Sequence, residues 1–133
     1  MVDRRVRILM VKFGDGYEGA IMKLARAFSE AGFEVIYTEL QDPQAIVSSA
    51  IQESVDHIGV TTLPGTDIQS FSTLIGLLRK EGAGHVHITA GGFLDEESIS
   101  KIKAMGVVEF FPKGTTYEEL IDWATRNIKV TEE

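Results

Sequence analysis

Cysteine is absent from this sequence, and with it go disulfides, thiolate metal sites and cysteine nucleophiles. Basic residues are in deficit: 13 lysines and arginines stand against 20 acids, a formal net charge of -7. A surface for a phosphate backbone carries a basic excess or stripe, so the balance excludes nucleic acid as a partner. The one dense basic group, Arg4, Arg5 and Arg7, reads as a solvated strand entry. No apolar run approaches the roughly 18 residues of a membrane span, and Met1 to Arg5 lacks the apolar core of a signal peptide. The expectation is a cytoplasmic chain with no membrane partner. There is no internal repeat, low-complexity segment or linker either, and 133 residues with 44% hydrophobic content amount to about one domain. Residues 1–133 are therefore read as a single unit, with only the acidic tail 130–133 frayed.

What is present is a regular alternation. Five apolar, β-branched segments suit buried parallel strands: Val6 to Phe13, Phe33 to Thr38, Ile58 to Thr62, Val86 to Ala90 and Val107 to Phe111. Helical spacing fills the intervals. Ala20, Leu24, Ala27, Phe28 and Ala31 share one face, closed by Gly32; Ala45, Ile46, Ala50 and Ile51 share the next. Ile68, Phe71, Leu74, Leu77 and Leu78 form a third face, Ile99, Ile102 and Met105 a fourth, and Tyr117, Leu120, Ile121, Ala124 and Ile128 a fifth. Helix starts agree with this reading. Asp42-Pro43 reads as an N-cap with proline at the first helical position, Asp95 as a cap of the fourth helix, and Thr115 with Glu118 has capping-box spacing. Right-handed crossovers then give an α/β fold, a single flavodoxin-like, Rossmann-like three-layer domain whose five-stranded parallel sheet has the order 2-1-3-4-5 with helices on both faces.

In such a fold the loops following strands one, three, four and five gather at one edge, where ligands bind. Here they are Lys12 to Gly19, Thr61 to Asp67, Gly91 to Leu94 and Pro112 to Thr116, each with glycine. Gly91-Gly92 after the fourth strand would let a ligand lie against bare backbone. Ordinary turns also use glycine, but four such loops on one edge favour a ligand. Phe13, Pro64, Phe93 and Leu94 are candidate apolar tips there for a docking partner. The histidines, His57, His85 and His87, precede or begin strands three and four. At about 3.3 Å per strand residue they fall roughly 15 Å from that edge, which makes them structural or solvent-facing rather than ligands.

The order Asp15-Gly16-Tyr17-Glu18-Gly19-Ala20, then Thr61-Thr62-Leu63, then Gly91-Gly92 resembles the signature D-x-H-x-x-G … S-x-L … G-G of the cobalamin (vitamin B12)-binding domain of the methylmalonyl-CoA mutase and glutamate mutase small-subunit family. The resemblance covers nearly the whole chain, with further likeness at Phe28 to Phe33, Asp42-Pro43, Lys103 to Val107 and Gly114-Thr115. It implies a cobalamin over the carboxyl edge of the sheet, its nucleotide tail threaded down beside the sheet. On that basis Thr61 keeps a hydroxyl for the tail, Leu63 an apolar wall, Gly91 and Gly92 the room, and Gly114 and Thr115 the far side; Asp15, Gly16 and Tyr17 would meet the cofactor itself.

The first block departs from the family pattern. The family's histidine, the lower axial ligand of cobalt, falls on Tyr17, its last glycine falls on Ala20, and the loop between Lys12 and Asp15 is one residue shorter. Imidazole is a good donor to cobalt near neutral pH, and the family's aspartate fixes its tautomer; a phenol with a pKa of about 10 is a poor one. Ligation through this position is thus altered or lost. Tyr17 packs on the cofactor, fills the ligand's space, or packs locally; Asp15 caps the first helix or meets a polar group of the ligand.

What the resemblance implies is an adenosylcobalamin-binding domain or small subunit of a mutase, held against a larger catalytic barrel subunit. Adenosylcobalamin would carry the hard chemistry, and no residue of this chain reads as a substrate acid, base or nucleophile. Two alternatives stand beside it: a flavodoxin-like domain binding another cofactor such as a flavin, and a receiver-like signalling domain. The latter has Asp15 and Lys113 in its favour and lacks a phosphoacceptor aspartate where Thr61-Thr62-Leu63 stands.

Overall fold

A computed structural model describes residues 4–16 and 18–131; Tyr17 lies outside the described residues. The β-branched, apolar segments form five parallel strands: β1 (Arg7–Phe13), β2 (Glu34–Tyr37), β3 (His57–Thr62), β4 (His87–Gly92) and β5 (Glu109–Pro112). They pair in the order β2-β1-β3-β4-β5, as the crossover rule predicts. The connecting helices are α1 (Glu18–Glu30), α2 (Pro43–Gln52), α3 (Gln69–Lys80), α4 (Glu96–Met105) and α5 (Tyr117–Asn127).

Strand parity divides the interior into two layers. Leu9, Val11 and Phe13 of β1, with Ile58, Val60, Ile88 and Ala90, pack against α2, α3 and α4 through Ile46, Val47, Phe71, Leu74, Leu78 and Ile102. The opposite face is more sparsely filled: Ile8 and Met10 meet Ala25 and Phe28 of α1, Ala124 of α5 and Ile128 just after it. The reason lies in the central strands. On this face β3 and β4 present Gly59 beside Thr89 and Thr61 beside Gly91, side chains too small to fill the space under α1 and α5.

The caps of α2 and α4 form as read, Asp42 accepting from the Ala45 amide and Asp95 from the Ser98 amide. The capping box of α5 sits one residue later than the spacing suggested, on Thr116 and Glu119. Thr115 is already used in the preceding turn, where its amide and its hydroxyl both donate to the Pro112 carbonyl. Ile51 also departs from its expected face: it is exposed, and Val47 takes the buried position beside Ile46 and Ala50.

At the amino end of the sheet Asp56 gathers a clamp. Its carboxylate accepts both guanidinium nitrogens of Arg4 at 2.8 Å, the Arg7 amide, and the amide and hydroxyl of Thr131. Burial opposes the charge, but these donors win and hold the carboxyl down at about 2. The clamp fastens the segment after α5 to the entries of β1 and β3, which fixes α5 over the sparsely filled face.

Candidate functional site

The gap beneath α1 and α5 is a groove of about 350 Å³ that opens at the carboxyl edge of the sheet and runs down its face. Its floor is Gly59, Thr61, Thr89 and Gly91; Ala20, Ile21, Leu24 and Phe28 make the α1 wall, and Leu120, Trp123, Ala124 and Ile128 the α5 wall. Phe111 packs edge-on against Trp123 at 5.3 Å and stiffens the second wall. At the mouth, Lys113 holds its ammonium 4.7 Å from the centre of the exposed Phe93 ring. The volume suits the heterocyclic base and sugar of a nucleotide, and an apolar lining with few polar groups is what small-molecule sites commonly offer.

Thr61, Leu63, Gly91, Gly92, Gly114 and Thr115 all line this groove. Thr61 is half-buried, and its hydroxyl has no hydrogen-bond partner among the described residues. Its neighbour Thr62 faces the other way, fully buried, and donates to the Gly91 carbonyl at 3.1 Å. The Leu63 amide donates to the Phe13 carbonyl and to Thr66 Oγ1, which in turn donates back to the Leu63 carbonyl, so the end of β3 is closely tied.

The paired glycines are the last two residues of β4, in register with Thr61 and Thr62, rather than the loop after it. Both have a backbone reason to be glycine. A Cβ on Gly92, at φ +123°, would lie 2.4 Å from the Thr62 carbonyl oxygen, and one on Gly91 would lie 2.9 Å from that of Phe111. Their bareness serves the sheet as well as the groove.

Asp15 and Gly16 do not line the groove; they sit on the loop above it. That loop is held by a two-way amide contact with Gln41, whose Oε1 accepts the Gly14 amide and whose Nε2 donates to the Gly14 carbonyl, both at 2.9 Å. The Asp15 amide donates to the Pro64 carbonyl at 3.1 Å, and the Asp15 side chain is exposed. Of the candidate docking tips, Phe93 and Pro64 are exposed and Leu94 is half-buried. Phe13 is not a tip: it is buried and packs edge-on against Phe71 at 5.1 Å.

His85 and His87 are exposed, whereas His57 is buried and lines the deep end of the groove, its Nε2 2.9 Å from Thr89 Oγ1. Burial, helped by the nearby His87 and opposed by Asp56, pushes the imidazole down to about 3, so it is neutral at ordinary pH. Gly59, His57 and Thr89 escaped the reading from motifs. Parity could have found them: they lie two and four residues before Thr61, and two before Gly91, on the same strand faces.

The end of β3 holds Thr61 and Thr62 where a receiver domain needs its phosphoacceptor carboxylate. The B12 binding domain model, by contrast, matches residues 7–121, from the start of β1 into α5. This chain belongs to that family. It is 37% identical over 119 residues to the 2-hydroxyisobutanoyl-CoA mutase small subunit of Aquincola tertiaricarbonis, covering 88% of each chain. To the pivalyl-CoA mutase small subunit of Xanthobacter autotrophicus it is 36% identical over 124 residues, 92% of this chain and 83% of that one. Among solved structures, a cobalamin-binding protein from Desulfitobacterium hafniense superposes with a TM-score of 0.76 over 94% of this chain and 60% of that one; at 16% identity it supports the fold.

Proposed function

We propose that this chain is the adenosylcobalamin-binding small subunit of an acyl-CoA mutase, working beside a larger catalytic barrel subunit. The observation that carries the reading is the apolar groove, which opens at the carboxyl edge of the sheet beside Thr61, Leu63, Gly91 and Gly92 and continues down the sheet face to His57. Thr61 would offer its unengaged hydroxyl to the tail, Leu63 and the α1 and α5 walls would exclude water from it, and Gly91 and Gly92 would let it approach the strands. Gly114 and Thr115 would close the side next to α5, while Asp15, Gly16 and Tyr17, on the loop after β1, would meet the cofactor itself. When bound, adenosylcobalamin supplies the radical chemistry of its cobalt–carbon bond. This chain contributes binding, orientation and a dry surrounding, and the substrate's acids and bases belong to the partner.

With tyrosine at the position of the axial histidine, cobalt takes no imidazole from this loop. The test is titration of the wild type and Tyr17→His with adenosylcobalamin and with hydroxocobalamin, read by visible absorption. The wild type is expected to change the corrinoid spectrum, and Tyr17→His to add a histidine-ligated, base-off spectrum that the parent lacks. No spectral change with the wild type at high micromolar concentration would overturn the cobalamin reading. Binding with identical spectra from both proteins would overturn the placement of Tyr17 at the ligand position.

A further inference from the structure

The deep end of the groove has a polar pair with nothing yet to do. His57 and Thr89 are 3% and 8% exposed and hydrogen-bonded to each other at 2.9 Å, in a channel whose surrounding walls are Ile8, Met10, Leu24, Phe28, Leu120 and Ile128. The second ring nitrogen of His57 has no hydrogen-bond partner among the described residues. A groove-lining polar atom in an otherwise apolar channel points to what the channel receives, because a ligand that covers it without pairing leaves it dry. His57 lies four residues below Thr61 on the same strand face, about 13 Å, which is where the far edge of a base entering at Thr61 would arrive.

We infer that His57 and Thr89 select the lower base of the cobamide, favouring a base with hydrogen-bonding groups on its far edge, such as adenine, over one with an apolar edge, such as dimethylbenzimidazole. The inference rests on the cobalamin reading and adds to it the chemistry at the tip of the tail. A neutral imidazole can present its free nitrogen as donor or acceptor according to tautomer, and the Thr89 hydroxyl can reverse its bond to match. An adenine edge carries an amine donor beside a ring-nitrogen acceptor, so it pairs with either arrangement. The methyl edge of dimethylbenzimidazole offers neither and leaves the His57 nitrogen dry and unpaired.

The experiment compares dissociation constants of the adeninyl cobamide and of cobalamin for the wild type, His57→Val and Thr89→Val, all as the full chain. The ratio of the two constants within one protein cancels general losses of affinity, and Thr89→Val, nearly isosteric, serves if His57→Val folds poorly. The wild type is expected to prefer the adeninyl cobamide, and each substitution to shift the ratio towards cobalamin by roughly tenfold, the size of one unsatisfied buried polar group. A ratio that is the same in wild type and variants, or a wild type that prefers cobalamin, overturns the role of the pair while leaving the cobalamin reading intact. Failure of both cobamides to bind the wild type overturns that reading and this inference with it.

Discussion

Replacing Gly59 by valine should make the protein more stable and the groove less able to bind. Gly59 sits mid-strand in β3, flanked by Met10 of β1 and Thr89 of β4. A Cβ placed on it would meet only Ile8 Cγ2 and Thr89 Oγ1, each at 4.0 Å, an ordinary contact. The backbone needs no glycine here, and a mid-strand glycine costs about 0.5–1 kcal/mol relative to alanine. Valine adds methyl groups on the groove floor, worth at most about 0.8 kcal/mol per carbon buried and less where the groove is open. The sum is a gain of about 1–2 kcal/mol, or about 3–8 °C in Tm for a domain of this size. The same methyl groups occupy the floor on which the nucleotide tail would rest. Forcing a ligand over them costs about 1–3 kcal/mol by analogy with overpacked cores, a five- to 150-fold loss in affinity. Thermal unfolding followed by circular dichroism, with cobalamin titration of the same preparations and Gly59→Ala as the intermediate step, measures both. A valine variant that binds cobalamin as tightly as the wild type would refute the placement of the tail in this groove; one that loses stability would show that the floor has no room.

Three further outcomes follow from the same geometry. Gly92→Ala should cost about 2–5 kcal/mol in urea unfolding, from a strained positive φ together with the clash against the Thr62 carbonyl; Gly114→Ala, at φ +100° with open space around it, should lose only about 1 kcal/mol, and equal losses would contradict this account. Asp56→Asn should destabilise by about 2–4 kcal/mol, since it breaks the charge-assisted bonds to Arg4 and faces one of the Thr131 and Arg7 donors with an amide, and near-wild-type stability would show the clamp to be dispensable. Acid should act in two stages. His57 is held neutral to about 3, so the unfolded chain takes up its proton first and stability falls from about pH 6.5 downward by up to about 1.4 kcal/mol per pH unit. Asp56, held at about 2 against 3.8, contributes about 2 kcal/mol that is present above its unfolded value and is lost as pH falls from about 4 through 2. His57→Val should flatten the upper stage alone in urea unfolding across pH, and an unchanged slope there would refute the burial argument.

The fold was readable because its signals are local. Asp42-Pro43 and Asp95 start helices wherever they stand before an apolar stripe, and β-branched runs of strand length between such helices leave few topologies. Thr115 misled because it and Thr116 both suit a capping box, and only the turn built on the Pro112 carbonyl decides which is free to cap. Ile51 misled because its place at the end of α2 exposes it although its spacing fits the buried stripe. The motif residues Thr61, Leu63, Gly91 and Gly92 all line the groove. Its depth was hidden, because what makes the groove is the smallness of Gly59, Thr89 and their neighbours on one sheet face, a property of two strands in register that neither strand shows alone.

The tail groove and the loop above it are held by separate contacts, and this gives the substitution at Tyr17 a clear meaning. The loop backbone is set by Gln41 from the β2–α2 connection and by the carbonyl of Pro64 after β3. A Cβ on Gly14 would collide with the Pro64 and Leu63 carbonyls at 2.6 and 2.7 Å, so the path of the chain into Asp15 is fixed before any cofactor arrives. The groove is set instead by the small residues of β3 and β4, by α1, and by α5 under the Asp56 clamp. The two meet at Leu63, whose carbonyl packs under Gly14 and whose side chain lines the groove. On the proposed reading, a nucleotide tail would be held by the groove residues and not by the residue offered to cobalt, so that residue could change while the tail's hold is kept. It follows that Tyr17→His should alter the cobalt spectrum much more than the affinity.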